Sequence, residues 1–424
     1  MVVIDDDAEA FAMMTAMPKR VLYVVSLFPC WSETFIVREI TTLIALGVDV
    51  RIISLKHPSE AMVQPDAAQL LDRVWHPQSA ASAGWHVGVV KLHHPLIMLR
   101  LFGLLLRGLW KQPLVLLKSM FALLRGIEHL DAIRRFNPDF IHSHWATYPS
   151  TVALALAKLT GKPWGFTCHA HDIFVDNQLL ETKLTNATLP VTISRYNVDY
   201  LSETITLLAR QRLHVVHCGV DLSAFAFRHD GREPSLLLAV GRLDPIKGFD
   251  VLLLALAKLA TAGVVFRCVI IGEGQQRAEL EQSIAMLDLR DRVQLLGARP
   301  QVEVRALLHR ATAFVLPSTI AADGNRDGIP VALMEAMAVG APVISTRVSG
   351  IPELIGDDVS GLLVDGGDAD TLAGAIRRLL GDVALRERLA RSAREVVEHD
   401  FDAAHEASKL LAAMAESIAA GASR

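Results

Sequence analysis

Two cations stand close together in "GRLDPIKGFD", residues 241–250: Arg242 and Lys247, in a glycine-bounded loop between the apolar runs "SLLLAV" and "VLLLALAKLA". Cations beside a turn are often merely solvated. The chemical alternative is a diphosphate site, with Arg242 supplying a planar fork and Lys247 a point charge. A second loop, "DGNRDGIPVALMEAMAVGAPVIST" (323–346), carries the carboxylates Asp327 and Glu335. Pro330 suits the first turn of a helix running to about Val339, and Gly340 stops it. Gly328 lets a backbone approach a ligand closely, and the helix N-terminus favours an anion. Glu335 lies among Leu333, Met334, Ala336 and Met337, where an unpaired carboxylate is costly. Backbone or an Arg would satisfy it, or else the hydroxyls of a sugar.

Other clusters carry less. Histidines 142/144 and 169/171 form two HxH pairs. On a strand such a pair shares one face, but no acidic or histidine set downstream completes a metal site, so no metal is expected. "GEGQQR" (272–277) imitates a dinucleotide fingerprint, yet its third glycine position is Arg277. A partial match of this kind is weak. "DDD" (5–7) and "DAD" (368–370) read as capping or solvated charge.

Short β-type runs and helical runs alternate along the 424 residues, the pattern of α/β domains with parallel sheets, and the length calls for two of them. "RVLYVVSLFP", "ETFIVREITTLIALG" and "DVRIISL" make a βαβ opening, continued by "DFIHSHWA", "PWGFTCHA", "LPVTIS" and "HVVHCG". A polar, turn-rich stretch at 226–234 reads as a linker. A second series follows: "LLLAVG", "FRCVIIG", "VQLLG", "TAFVLPS", "PVIST" and "GLLV". In such sheets ligands sit beyond the carboxyl ends of the strands, where the loops above lie. The expected layout is a loose tail over 1–17, a Rossmann-like domain over 18–229, a second over 230–399, and a helix over 400–424 packing back on the first. A net charge of -4 gives no pull towards nucleic acid. Cys30, Cys168, Cys218 and Cys268 are far apart, which favours a reduced cytosolic protein over a disulfide scaffold. The acidic start "MVVIDDDAEA" is no signal peptide.

Asp327 and Glu335, set in "DGIPVALMEAMAVGAPVIST", resemble the E-x7-E motif of family 4 retaining glycosyltransferases of the GT-B fold. "VGRLDPIKGFDVLLLA", "VIIGEGQQRAEL", "LLGARPQVEVRALLHRATAFVLPS" and "SGIPELIGDDVSGLLVDGGDADTLAGAI" are similar to that family's C-terminal domain, in order. "SETFIVREI" (32–40) and "TCHAHDIF" (167–174) resemble a subgroup that builds bacterial exopolysaccharides of the colanic-acid type. The likeness runs from about residue 19 to near the end. It implies two Rossmann-like domains facing across a cleft, a nucleotide-sugar donor (UDP-hexose, or GDP-mannose), and no cofactor or metal. By the same resemblance Arg242 and Lys247 hold the donor diphosphate and Glu335 the ribose hydroxyls. Asp327 takes the transferred hexose, and His169 stands beside the reacting sugar. Gly328, Ile329, Pro330 and Val331 line the donor. Ser32, Glu33, Thr34, His171 and Asp172 fall to the first loop and the acceptor. Two departures stand out: Asp327 is a methylene shorter than the usual Glu, and "PCWSET" (29–34) replaces the family's first-loop glycine pair. An epimerase of the same fold, a transferase acting on a soluble acceptor, and a non-catalytic nucleotide-binding scaffold are the competing readings.

Residues 85–127 contain no Asp or Glu but six cations: Lys91, Arg100, Arg107, Lys111, Lys118 and Arg125. Their spacing breaks the apolar runs far below the ~20 residues of a membrane span. Cations set among Leu, Phe and Trp describe a surface for anionic lipid, or two amphipathic helices packed on the first domain. The lipid reading fits a glycan or polyprenol-linked oligosaccharide acceptor at the inner face of the cytoplasmic membrane.

Overall fold

The computed structural model describes residues 17–30, 33–58, 63–78, 93–205, 212–228 and 230–422. The chain divides into two compact units. The first comprises residues 1–193, 198–216 and 405–424, and the second residues 194–197 and 217–404. Residues 1–16 of the expected tail lie outside the described residues, as does the 85–92 part of the cationic segment.

Among the described residues the first unit holds seven parallel strands: β1 (Arg20–Val25), β2 (Asp49–Ser54), β3 (Val74–Trp75), β4 (Phe140–His144), β5 (Trp164–Cys168), β6 (Leu189–Thr192) and β7 (His214–Val215), in the order β3-β2-β1-β4-β5-β6-β7. The period-2 alternation of β1 explains why both faces are covered. Leu22 and Val24 enter one core with Ile141 and Phe166. Val21, Tyr23 and Val25 enter the other with Ile40, Leu410 and Met414. The helix Thr34–Ala45 buries Ile36, Val37, Ile40 and Leu43, the one-face spacing of an amphipathic helix, and the chain turns at Gly47 with φ 90°. Leu410 and Met414 come from the helix Ala403–Ala422, so the C-terminal end belongs to the first unit's core.

The second unit has six parallel strands: β8 (Leu236–Val240), β9 (Arg267–Ile271), β10 (Val293–Gly297), β11 (Ala313–Val315), β12 (Val343–Thr346) and β13 (Leu362–Val364), ordered β10-β9-β8-β11-β12-β13. In each sheet the order reverses once, between β1 and β4 and between β8 and β11. These are the two switch points where ligands bind in open α/β sheets.

The chain passes from one unit to the other at 216–217, upstream of the polar stretch expected to be the linker. That stretch is strapped to the second unit. Phe225 is buried in its core. The Arg232 guanidinium donates to the carbonyls of Leu308 (3.0 Å), Ala311 (2.8 Å), Arg228 (2.7 Å) and Val339 (3.1 Å). Ala226, Arg228, Asp230, Gly231 and Pro234 are exposed, and Arg232 ties the stretch down through backbone carbonyls.

Candidate functional site

At the carboxyl end of β8 the loop turns tightly. Asp244 caps the turn Pro245–Lys247, accepting from the Ile246 N–H, and Gly248 ends it at φ 65°. A Cβ on Gly248 would lie 2.0 Å from the Pro317 carbonyl oxygen, so only glycine lets this turn touch the segment after β11. Thr319 completes the contact, its N–H donating to the Ile246 oxygen and its hydroxyl to the Pro245 oxygen, both at 2.9 Å. The result brings Lys247 to Asp327. Lys247 Nζ donates to Asp327 Oδ1 at 2.7 Å, and Ser318 Oγ donates to Oδ2 at 2.8 Å. Arg242 points outward, 62% exposed, with Nε 3.6 Å from Asp244 Oδ2.

Glu335 lies buried in the helix Val331–Ala338 and accepts from Gln301 Nε2 at 2.9 Å. Pro330 stands at the cap of that helix, just before its first turn, and Gly340 follows its end at φ 79°. Gly328, Ile329 and Pro330 are buried and Val331 half-buried at the same helix start. The glycines of "GEGQQR" serve packing. A Cβ on Gly272 would meet the Gly241 oxygen at 1.8 Å, and one on Gly274 the Leu243 oxygen at 2.3 Å. Arg277 opens a helix and pairs with Glu273 at 2.7 Å and Glu281 at 2.9 Å.

In the first unit the two HxH pairs meet at the ends of β4 and β5. His144 Nδ1 lies 3.1 Å from His169 Nε2, and His144 Nε2 lies 3.0 Å from Glu39 Oε1. Tyr23 donates its hydroxyl to the same oxygen at 2.6 Å. Three aromatic rings pack around His169: Trp145 at 4.5 Å, Phe35 at 5.0 Å and His144 at 5.4 Å between centroids. Trp145 holds φ at 75°, uncommon for a bulky residue and a mark of a position fixed by its surroundings. Burial would raise the Glu39 carboxyl, but the attraction and hydrogen bond of His144, then His142 and the Tyr23 hydroxyl, bring it to about 2. Burial holds His142 down to about 3 and His169 well below its ordinary range.

Asp172 faces the protein interior. It is fully buried, accepting from the His169 N–H at 2.7 Å with one oxygen and from the Ala146 N–H with the other. Buried Lys183 donates to the Ala146 and Thr147 carbonyls at 2.6 and 2.7 Å. Together they clamp the 145–147 loop against His169. His171 is exposed at the start of a short helix, and Thr34 opens the helix that Glu33 caps. Ser32 lies outside the described residues.

Among the described residues no acidic or histidine set downstream of the histidines completes a metal site, but the fold brings a third metal-type donor from upstream, Glu39 with His142 and His144. Glu39 was visible in "SETFIVREI" but carried no role there, because its meeting with β4 is set by strand order. Tyr23, Trp145, Lys183, Ser318 and Gln301 were missed for the same reason.

The segment 93–127 forms two helices, Pro95–Leu109 and Pro113–Ile127. One face of each is buried, through Leu101, Leu105 and Leu109 and through Ala122, Leu123 and Ile127. Another apolar face is bare: Leu96 (68% exposed), Leu99 (67%), Trp110 (64%), Leu114 (72%), Leu117 (64%) and Phe121 (55%). Arg100, Arg107 and Lys118 are exposed on the same two helices, and Lys111 in the turn between them. Among the described residues no helix is long and apolar enough to cross a membrane.

Comparison with known proteins places this geometry. The model of Glycosyltransferase Family 4 matches residues 32–224, and that of Glycosyl transferases group 1 matches 224–396. The chain is 33% identical over 401 residues to WcaL of Escherichia coli (strain K12), a glycosyltransferase assigned to colanic acid biosynthesis, covering 88% of this chain and 94% of that one. It is 42% identical over 211 residues to the amylovoran biosynthesis glycosyltransferase AmsK of Erwinia amylovora, spanning 49% of this chain and about half (52%) of that one. Among solved structures, Anabaena HepE in complex with UDP and glucose superposes with a TM-score of 0.66 at 17% identity, covering 92% of this chain and 98% of that one. Sucrose-phosphate synthase from Thermosynechococcus elongatus does so at 0.70 and 20%, covering 92% and 97%. With two parallel Rossmann-like sheets and a relative one-third identical along nearly its whole length, the chain belongs to the family 4 glycosyltransferases of the GT-B fold.

Proposed function

We propose that this glycosyltransferase moves a hexose, with retention of configuration, from a UDP-hexose to a lipid-linked exopolysaccharide repeat unit. It works at the inner face of the cytoplasmic membrane and needs no divalent metal. The observation that carries the reading is the Lys247–Asp327 pair at the β8/β11 switch point, a cation beside a carboxylate 2.7 Å apart. In the structure the two satisfy each other. A bound donor takes Lys247 with its diphosphate, joined by Arg242, and Asp327 turns to the hexose hydroxyls. Glu335 takes the ribose hydroxyls.

As the anomeric C–O bond to phosphate breaks, negative charge gathers on the leaving diphosphate, and fixed cations stabilise it. The acceptor hydroxyl attacks from the face the phosphate leaves, its oxygen bonding to the anomeric carbon while its proton passes to the phosphate oxygen. His169 stands beside the sugar. Neutralisation by Arg242 and Lys247 is the ground for metal independence, since it takes the part Mg²⁺ or Mn²⁺ would play.

The names of AmsK and WcaL support an exopolysaccharide product, and HepE has been solved with UDP-glucose. Exposed leucines and aromatics interleaved with cations support the membrane partner. Incubating the pure protein in EDTA with a panel of UDP- and GDP-sugars should reveal slow hydrolysis of a UDP-hexose. Activity abolished by EDTA and restored by Mn²⁺ would contradict the metal-free reading.

A further inference from the structure

The Tyr23–Glu39–His144–His169 chain has a direction. A carboxylate can only accept, so the Tyr23 O–H and the His144 Nε2–H both point at Glu39 Oε1. At a pH high enough for the ring to carry a single proton, the Glu39 carboxylate holds that proton on His144 Nε2, and the bare Nδ1 can only accept. His169 Nε2, 3.1 Å away, must then carry the proton. Its other ring nitrogen, Nδ1, has no hydrogen-bond partner among the described residues. We propose that Glu39 is a positioning residue: acting through His144, it fixes the His169 tautomer in which Nδ1 is bare, so that His169 accepts a hydrogen bond from a sugar hydroxyl and does not donate one.

This rests on the placement of His169 beside the reacting sugar and assigns the part it plays there. Trp145, Phe35 and His144 pack around it, and the Asp172 carboxylate fixes its backbone. The titratable groups facing the chain are Tyr23, Glu39, His142 and His144 on one side and Asp172 and Lys183 on the other. His142 turns its Nε2 to the Thr167 hydroxyl at 3.0 Å and takes no part in the relay. Glu39, His142 and His144 have the donor types of a zinc site, but Glu39 Oε1 and His144 Nε2 are already bonded to each other. A metal would have to displace the proton between them.

The test is a long-range ¹H–¹⁵N correlation spectrum of the intact protein labelled with ¹⁵N-histidine, recorded above the histidine titration range, with His169 assigned from its loss in His169→Asn. The expected spectrum shows His169 protonated on Nε2. Glu39→Leu should shift it towards a mixture of tautomers, whereas Tyr23→Phe, which keeps the carboxylate, should leave it unchanged. An Nδ1–H tautomer in the wild type overturns the proposal, even if Glu39→Leu does not fold. So does a His169 signal unchanged in a folded Glu39→Leu, or one equivalent of zinc in the purified protein that is lost in that variant. The spectrum needs no donor, so it is read separately from turnover. A His169→Ala variant as active as wild type would remove His169 from the site without touching the tautomer.

Discussion

The His142 ring illustrates what burial does to a single residue. Desolvation depresses it to about 3, with His144 adding to the depression and Glu39 opposing it. Unfolded, the same ring titrates near its ordinary value of about 6.5. Below that pH the unfolded chain binds a proton that the native state refuses, so this group's contribution falls as pH drops from about 6.5 towards 3. Asp172 works the other way, because burial pushes its carboxyl up to about 7. The comparison that isolates His142 is therefore with His142→Gln. In urea unfolding its stability relative to wild type should improve by about 2 kcal/mol between about pH 7.5 and about pH 5. An unchanged difference would contradict the neutral buried ring. Glu335→Ala should raise the donor KM about tenfold or more while the protein stays folded, since a carboxylate that bonds hydroxyls contributes roughly 1.5–3 kcal/mol. A KM equal to wild type would release Glu335 from the ribose.

Elements decide which of these residues meet. Lys247 and Asp327 were each legible as candidates in the sequence, but the 2.7 Å contact between them was not. It depends on β8 lying beside β11 and on Gly248 touching the Pro317 carbonyl. Hydrophobic period shows that a strand exists, not which strand is its neighbour, and Glu39 went unassigned for that reason. "GEGQQR" was rejected as a fingerprint on its third position, yet its glycines answer to contacts with Gly241 and Leu243 that no local pattern shows. The two-residue strand β3 is too short to have a period at all. Gly248→Ala should destabilise by clearly more than the ~1 kcal/mol of backbone strain and abolish donor turnover, because its Cβ has no room. Gly263→Ala, at φ 72° in open space, should show only that strain. Equal thermal shifts for the two would contradict the close approach at Gly248.

For the whole molecule, the expected bland alternative for residues 85–127, amphipathic helices packed on the first domain, accounts for one face of each helix and leaves the other bare. Salt-sensitive sedimentation with anionic liposomes is expected. Replacing Arg100, Arg107, Lys111 and Lys118 with Glu should abolish it and leave donor hydrolysis intact. Wild-type protein that stays in the supernatant at low salt would contradict the membrane partner. The two-domain plan was legible because strands and helices alternate along the whole chain. The compact units divide at 216–217, while the polar stretch at 226–234 lies within the second unit, where Arg232 binds four carbonyls. The account as a whole stands most directly on one comparison, UDP-hexose hydrolysis by wild type, Arg242→Ala and Lys247→Ala in EDTA. It predicts measurable wild-type turnover and, in Lys247→Ala, a loss of about 2–4 kcal/mol of transition-state stabilisation, roughly 30- to 1000-fold in kcat/KM. Turnover within about threefold of wild type in both variants would contradict it.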